Sequence, residues 1–151
     1  MKELIETWHI NNRINVYLLN AINEEYLKDV SASKGRTAGE QFAHIHNVRL
    51  MWFKAAMPEL LAAQTKIEKE NITKALLIKS LEQSGEAVAK LLEKAFLENR
   101  IKGFKPHPHA FLGYLISHES HHRGQIMLTL KQSNHPVDQK TQYGLWEWGS
   151  R

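Results

Sequence analysis

Residues 108–132, Pro-His-Ala-Phe-Leu-Gly-Tyr-Leu-Ile-Ser-His-Glu-Ser-His-His-Arg-Gly-Gln-Ile-Met-Leu-Thr-Leu-Lys-Gln, decide how this chain is read. Phe111, Leu112, Leu115, Ile116, Ile126, Met127 and Leu130 recur at helical spacing and predict a helix over about 108–132. Pro106 and Pro108 keep the approach extended, and one of them suits a first helical turn. Ser133-Asn134 ends the helix, because Asn tolerates the left-handed conformation and Pro136 forbids continuation. Near the middle lies His118-Glu-Ser-His-His-Arg-Gly-Gln125. In a helix His118 and His122 stand about 40° apart around the axis and about 6 Å apart along it. Two imidazoles so placed can reach one metal ion. His118 shares a side with Phe111, Leu115 and Ile126, so the pair points inward. His121 is turned about 60° the other way and can pair with His118, but not easily with both.

The rest of the chain supplies partners for that helix. Residues 2–28 predict a first helix, with one apolar group at Leu4, Ile5 and Trp8 and another from Ile14 to Tyr26. Residues 31–36 read as a loop. Thr37 and Glu40 form a capping box that opens a second helix over about 38–56, stopped before Pro58. Pro58 can start a short turn within an irregular stretch to residue 71. Asn71 or Thr73 caps a third helix over about 73–99, in which Gly85 costs about 1 kcal/mol relative to Ala. Leu145, Trp146 and Trp148 are expected to pack a short tail onto the helices. No stretch alternates as a strand would. The expected architecture is all-α, a four-helix bundle in one domain, residues 1–151, and bundles build metal sites from side chains on facing helices.

A third ligand should come from another helix at similar depth. The second helix offers His44 and His46, which point about 200° apart. His44 shares a side with Val48, Met51 and Ala55, and His46 with Phe42, Arg49 and Phe53, so periodicity favours His44 only slightly. His9, His107, His109 and His135 lie near ends or loops. Three imidazoles with open positions make a catalytic rather than a closed zinc arrangement. Ni²⁺, Fe²⁺ and Co²⁺ accept the same ligands, and the sequence does not separate them. The bland alternative is a hydrogen-bonded polar cluster that stabilises the bundle.

Composition narrows the chemistry. The chain has no cysteine, so any site must use His, Asp, Glu or water, and a thiol nucleophile must come from outside. Met-Lys-Glu-Leu-Ile-Glu-Thr-Trp carries charges within its first apolar stretch, so it does not read as a signal peptide, and no apolar run suits a membrane span. A cytoplasmic location is the expectation. The net charge of +4 is spread thinly among glutamates, which argues against a nucleic-acid face.

His118-Glu119-x-x-His122 also matches the zincin signature, in which the Glu polarises a zinc-bound water. The extended signature needs Gly and His where this chain has Gln125 and Leu128. Glu147, the main downstream carboxylate available as a third ligand, sits in the short tail. A metalloprotease is the weaker alternative, and Glu119 reads as incidental.

Four stretches together resemble the DinB/YfiT-like family of metal-dependent bacterial proteins. They are Ala43-His-Ile-His-Asn-Val-Arg49 with Trp52, Tyr114-Leu-Ile-Ser-His-Glu-Ser-His-His-Arg-Gly-Gln125, Leu130-Lys-Gln-Ser-Asn-His-Pro136, and Gly144-Leu-Trp-Glu-Trp148. The resemblance implies a four-helix bundle holding a divalent ion, zinc, nickel or iron, through His44, His118 and His122. It also implies a homodimer, a small-molecule ligand, and transferase or isomerase chemistry with an external low-molecular-weight thiol such as bacillithiol or mycothiol. The expected function is therefore a metal-dependent thiol S-transferase or a related hydrolase or isomerase. The alternative is a non-catalytic metal-binding or stress-related bundle. Arg49 and Arg123 are candidates to hold a ligand anion, although salt bridges to a Glu on a neighbouring helix fit them better. Gln125 is a candidate partner for a metal-bound imidazole. Tyr114 and Trp52 fit core better than substrate binding, and Gly124 suggests close helix packing.

Overall fold

A computed structural model describes residues 1–151. Four long helices dominate, α1 Lys2–Asn20, α2 Ala38–Ala56, α3 Lys74–Glu98 and α4 Pro108–Gln132, followed by a short α5, Gln139–Gly144. There are no strands, only isolated bridges pairing Val30 with Thr37 and Ile101 with Phe104. α1 packs on α3, α3 on α2, α2 on α4, and α4 back on α1, which closes the bundle. No helix is long and apolar enough to cross a membrane.

Local chemistry sets most helix ends. Thr37 Oγ1 accepts from the Glu40 amide at 3.1 Å while Glu40 Oε2 accepts from the Thr37 amide at 2.7 Å, completing the capping box. Thr73, rather than Asn71, caps α3 by accepting from the Leu76 amide. Pro108 stands in the first turn of α4, and His107 Nδ1 accepts from the Ala110 amide at 3.1 Å. Asn134 takes the left-handed conformation after α4, with φ 63°.

The first helix is shorter than its periodicity suggests. It stops at Asn20, and a tight turn at Glu24–Lys28 replaces the expected last turns. The cause lies on another helix. Lys74 Nζ donates to the carbonyls of Asn20 and Ile22 at 2.9 and 2.7 Å, and Glu24 Oε1 accepts from the Lys74 amide. Tertiary partners thus satisfy groups that a longer helix would have paired internally.

The tail also departs from expectation. Trp146 is 79% exposed and does not pack on the bundle, whereas Leu145 and Trp148 are half-buried. Arg151 holds the tail instead, with its guanidinium 3.8 Å from the Tyr17 ring centre and its Nε donating to the Gly144 carbonyl.

The core has two apolar halves. One gathers around Leu18, Phe42, Ile45, Leu81 and Ile126, the other around Trp8, Phe53, Leu92, Phe111 and Leu115. Between them every long helix contributes buried polar residues, Asn11 and Asn15 from α1, His46 and Arg49 from α2, Ser84 from α3, and Glu119 and Arg123 from α4. Gly85 lets α1 approach α3 at this level. A Cβ there would lie 2.3 Å from Asn12 Nδ2, and Trp8 Nε1 donates to the Gly85 carbonyl at 2.8 Å. Gly124 does the opposite of what its mid-helix position suggests. It is exposed, and an added Cβ would meet nothing within 4 Å, so close packing is not its reason.

Candidate metal centre

α2 and α4 run antiparallel, since Gln41 meets His122, Arg49 meets Glu119, and Trp52 meets Phe111 and Tyr114. That arrangement brings His44 of α2 level with His118 and His122 of α4. The three imidazoles offer ligand atoms all within 4.8 Å of one another. His118 Nε2 and His122 Nε2 are 3.1 Å apart. Two nitrogens at about 2.0–2.1 Å from one tetrahedral ion stand about 3.4 Å apart, so this pair already has nearly the separation that a shared ion needs. The His44 ring centre lies 4.6 Å from that of His122 and 5.4 Å from that of His118.

The surroundings favour neutral rings with free lone pairs. Burial, then the charge of Arg36 and the neighbouring His118, hold His44 down to about 4. Burial, then His118 and His44, hold His122 down to about 3, and burial likewise lowers His118. Neutral imidazole is the form that binds metal. His122 Nδ1 donates to Gln41 Oε1, which fixes the tautomer and leaves Nε2 open toward His118. Gln41 Nε2 continues the chain to Gln125 Oε1 at 3.2 Å, and Gln125 Nε2 meets His121 Nε2 at 3.2 Å. The residue that orients His122 is therefore Gln41, one turn before His44, and Gln125 is one step removed. A glutamine so placed carries no sequence signal beyond lying on the His44 side of α2.

His122 is buried, whereas His44 and His118 are half-buried and His121 is exposed, so the cluster faces outward on one side. Tyr114 lies one turn before His118, 37% exposed, with ring centres 6.2 Å apart. Around it Trp52 packs edge-on, Phe104 tilted and Phe111 stacked. This aromatic group is the border of the cluster as well as part of the core.

The other candidates are distributed by burial. His46 is buried, and its Nε2 donates to the Thr65 carbonyl at 2.8 Å while its Nδ1 meets Ser84 Oγ at 3.0 Å. It holds the connection after α2 and takes no part in the cluster. Arg49 and Arg123 are core residues. Arg49 forms a two-pronged salt bridge with Glu119, Nε to Oε1 at 2.7 Å and Nη2 to Oε2 at 2.9 Å. Asn11 and Asn15 also donate to Oε2, each at 2.7 Å, and both of their carbonyl oxygens accept from Arg123 Nη1. Glu119 is not incidental: it ties α1, α2 and α4 together. Burial pushes its carboxyl up, but Arg49, the Asn15 hydrogen bond and Arg123 outweigh this and hold it below the usual carboxylate range. With both oxygens occupied, it is not available to polarise a water as the zincin signature requires.

The profile of the DinB family matches residues 1–148, and the chain belongs to that family. A search of curated proteins found no match.

Proposed function

We propose that this protein is a metal-dependent enzyme that holds one divalent ion through His44, His118 and His122 and transfers an external low-molecular-weight thiol to a small electrophile. The observation that carries the proposal is the half-open cluster of three neutral imidazoles, with His118 and His122 3.1 Å apart. A sealed site would favour a purely stabilising ion, whereas one in which His44 and His118 are only half-buried leaves room for a ligand. An ion held there would supply Lewis acidity that favours thiolate over thiol at neutral pH. The chain's own residues do the rest. Gln41 keeps His122 in the ligating tautomer, and the low proton affinity of His44 and His122 keeps protons from competing with metal near pH 7. The aromatic group around Tyr114 borders the site beside His118.

Metal analysis of untagged protein tests the site. The wild type should carry about one divalent ion per chain, and His44→Ala, His118→Ala and His122→Ala should each lose it. Gln41→Ala should retain the fold and lose about 10–100-fold in metal affinity. Stoichiometric metal in all three histidine variants would refute the ligand set. Conjugation of bacillithiol or mycothiol to a small electrophile, assayed with and without metal, tests the reaction. No metal-dependent turnover with either thiol would leave the non-catalytic bundle as the reading.

A further inference from the structure

A second cavity opens beside the cluster, and its charge points to a class of ligand. His44 forms part of its wall together with Arg36, Asn47, Lys66 and Lys69, and it encloses about 280 Å³. Its far wall is the connection after α2, which is fixed. Asn47 exchanges hydrogen bonds with the Ile67 backbone at 2.9 and 3.0 Å, and His46 holds the Thr65 carbonyl. That wall is therefore built into the fold, while Arg36 stands exposed at the end of the 31–36 loop, next to Thr37 of the capping box.

The two carboxylates along this wall are already engaged. Glu40 Oε2 accepts from the Thr37 amide in the capping box, and Glu68 pairs with Lys66 at 3.0 Å. Arg36 has no ion pair and no side-chain hydrogen bond, and Lys69 has no ion pair. An unpaired guanidinium at the mouth of a cavity is a ready partner for a planar or tetrahedral anion. The electrostatics of the interior act in the same direction. Glu119 is opposed by both Arg49 and Arg123, which leaves one excess positive charge beneath the cluster. Three neutral imidazoles would leave the charge of a divalent ion uncompensated. An anionic ligand relieves both.

We propose that this cavity binds the carboxylate or phosphate group of a small molecule, anchored by Arg36, while another atom of the same molecule faces His44, His118 and His122. The second half of that statement rests on the metal-centre reading above; the first half does not. Arg36 is then a specificity residue, and substrates or thiol cofactors lacking an anionic group bind poorly.

The test uses the full chain, metal-free and Zn²⁺-loaded, titrated with phenylphosphonate and with phenylacetate at pH 7.5. Backbone amide NMR shifts and calorimetry report binding in wild type, Arg36→Ala and Arg36→Lys. The expected result is shifts confined to the region of residues 36–47 and 66–72. Arg36→Ala should weaken binding about tenfold or more, and Arg36→Lys should retain part of it. Tighter binding of one probe tells a phosphate ligand from a carboxylate ligand. Unchanged affinity in Arg36→Ala, shifts elsewhere on the molecule, or no binding of either probe to either form would overturn the inference. Arg36-dependent binding by the metal-free chain together with a failure to take up Zn²⁺ would uphold this site and remove the metal centre, so the two readings fail separately.

Discussion

The bundle holds two polar clusters side by side, and they are built on opposite plans. Around Glu119 every group is buried and matched, with two guanidinium nitrogens of Arg49 and two amides converging on one carboxylate. Around His122 the imidazoles of His44 and His118 crowd together, only half-buried, with an open side. The first plan maximises satisfaction at one depth and so fixes how α1, α2 and α4 lie against each other. The second brings three imidazoles within 4.8 Å of one another without closing them off from solvent. The same eight-residue stretch of α4 supplies both, with Glu119 turned into the core and His118 and His122 turned toward α2. Polar groups matched and buried at this density hold the scaffold, and the half-buried imidazoles at its edge form a group that could hold a metal ion.

The largest expected effect comes from breaking the satisfied cluster. Glu119→Ala strands Arg49 without a counter-charge in a site where it is fully buried, and loss of one partner of a buried pair costs about 3–5 kcal/mol. Urea denaturation of the metal-free protein measures this. Replacing both partners, as Arg49→Met with Glu119→Leu, should recover only part of the loss, because Arg49 is no longer stranded but the buried Arg123 and the Asn11 and Asn15 amides lose Glu119. His118→Ala, measured the same way without metal, should change stability by less than about 1 kcal/mol, since a half-buried imidazole has little to lose. If His118→Ala proved as damaging as Glu119→Ala, the contrast between scaffold and site would be wrong.

Much of this was legible in the residues, and the misses share a cause. The bounds of α2 and α4 follow from Thr37, Glu40, Pro108 and Asn134, whose signals are local. The pairing of His118 with His122 follows from helical spacing. The end of α1 was not legible, because the lysine that satisfies its last carbonyls lies more than fifty residues away at the start of α3. Periodicity left His44 and His46 nearly equal, and depth decides between them: His46 lies under the connection after α2, and His44 lies opposite α4. The role of Glu119 is not legible in the His-Glu-x-x-His motif, because its partners, Asn11, Asn15 and Arg49, are on α1 and α2. Yet one trace of the polar layer was visible. The apolar pattern of α4 breaks between Ile116 and Ile126, and that of α1 thins between Trp8 and Ile14, where the two apolar halves of the core part.

Acid should separate the two clusters by pH. His44 and His122 have affinities for protons held down to about 4 and about 3, against about 6.5 for free imidazole. The unfolded chain therefore takes up protons first. Stability from this cause is complete above about pH 6.5 and is lost as pH falls through 4 and then 3. The buried, neutral His46 adds to the same trend. Glu119, held below the ordinary 4.5, contributes stability above that value and loses it only as pH falls further. Urea midpoints of metal-free protein from pH 7.5 to 3.5 should thus decline first in the histidine window. His44→Ala should flatten the upper part of the curve and leave the lower part intact. An unchanged slope between pH 6.5 and 4.5 in that variant would show that the cluster is not titrating as described.

The smallest effect concerns two glycines, and it sharpens the contrast between filled and open regions of the bundle. Both sit inside long helices, where glycine costs up to about 1 kcal/mol relative to alanine. Gly85 borders the filled polar layer, and a methyl group there would strike the Asn12 side chain, so its cost is the condition for α1 and α3 to meet. Gly124 follows Arg123 on α4 but faces open space, with room for a methyl and no positive φ to require glycine. Gly124→Ala should therefore raise the stability of the metal-free protein by about 0.5–1 kcal/mol, read as a shift in urea midpoint at constant slope. Metal content should stay the same, because the substitution leaves Gln41, His118 and His122 untouched. A loss of stability would mean that the exposed face of α4 is covered in solution, and an accompanying change in molecular mass would identify the cover as a second copy of the chain.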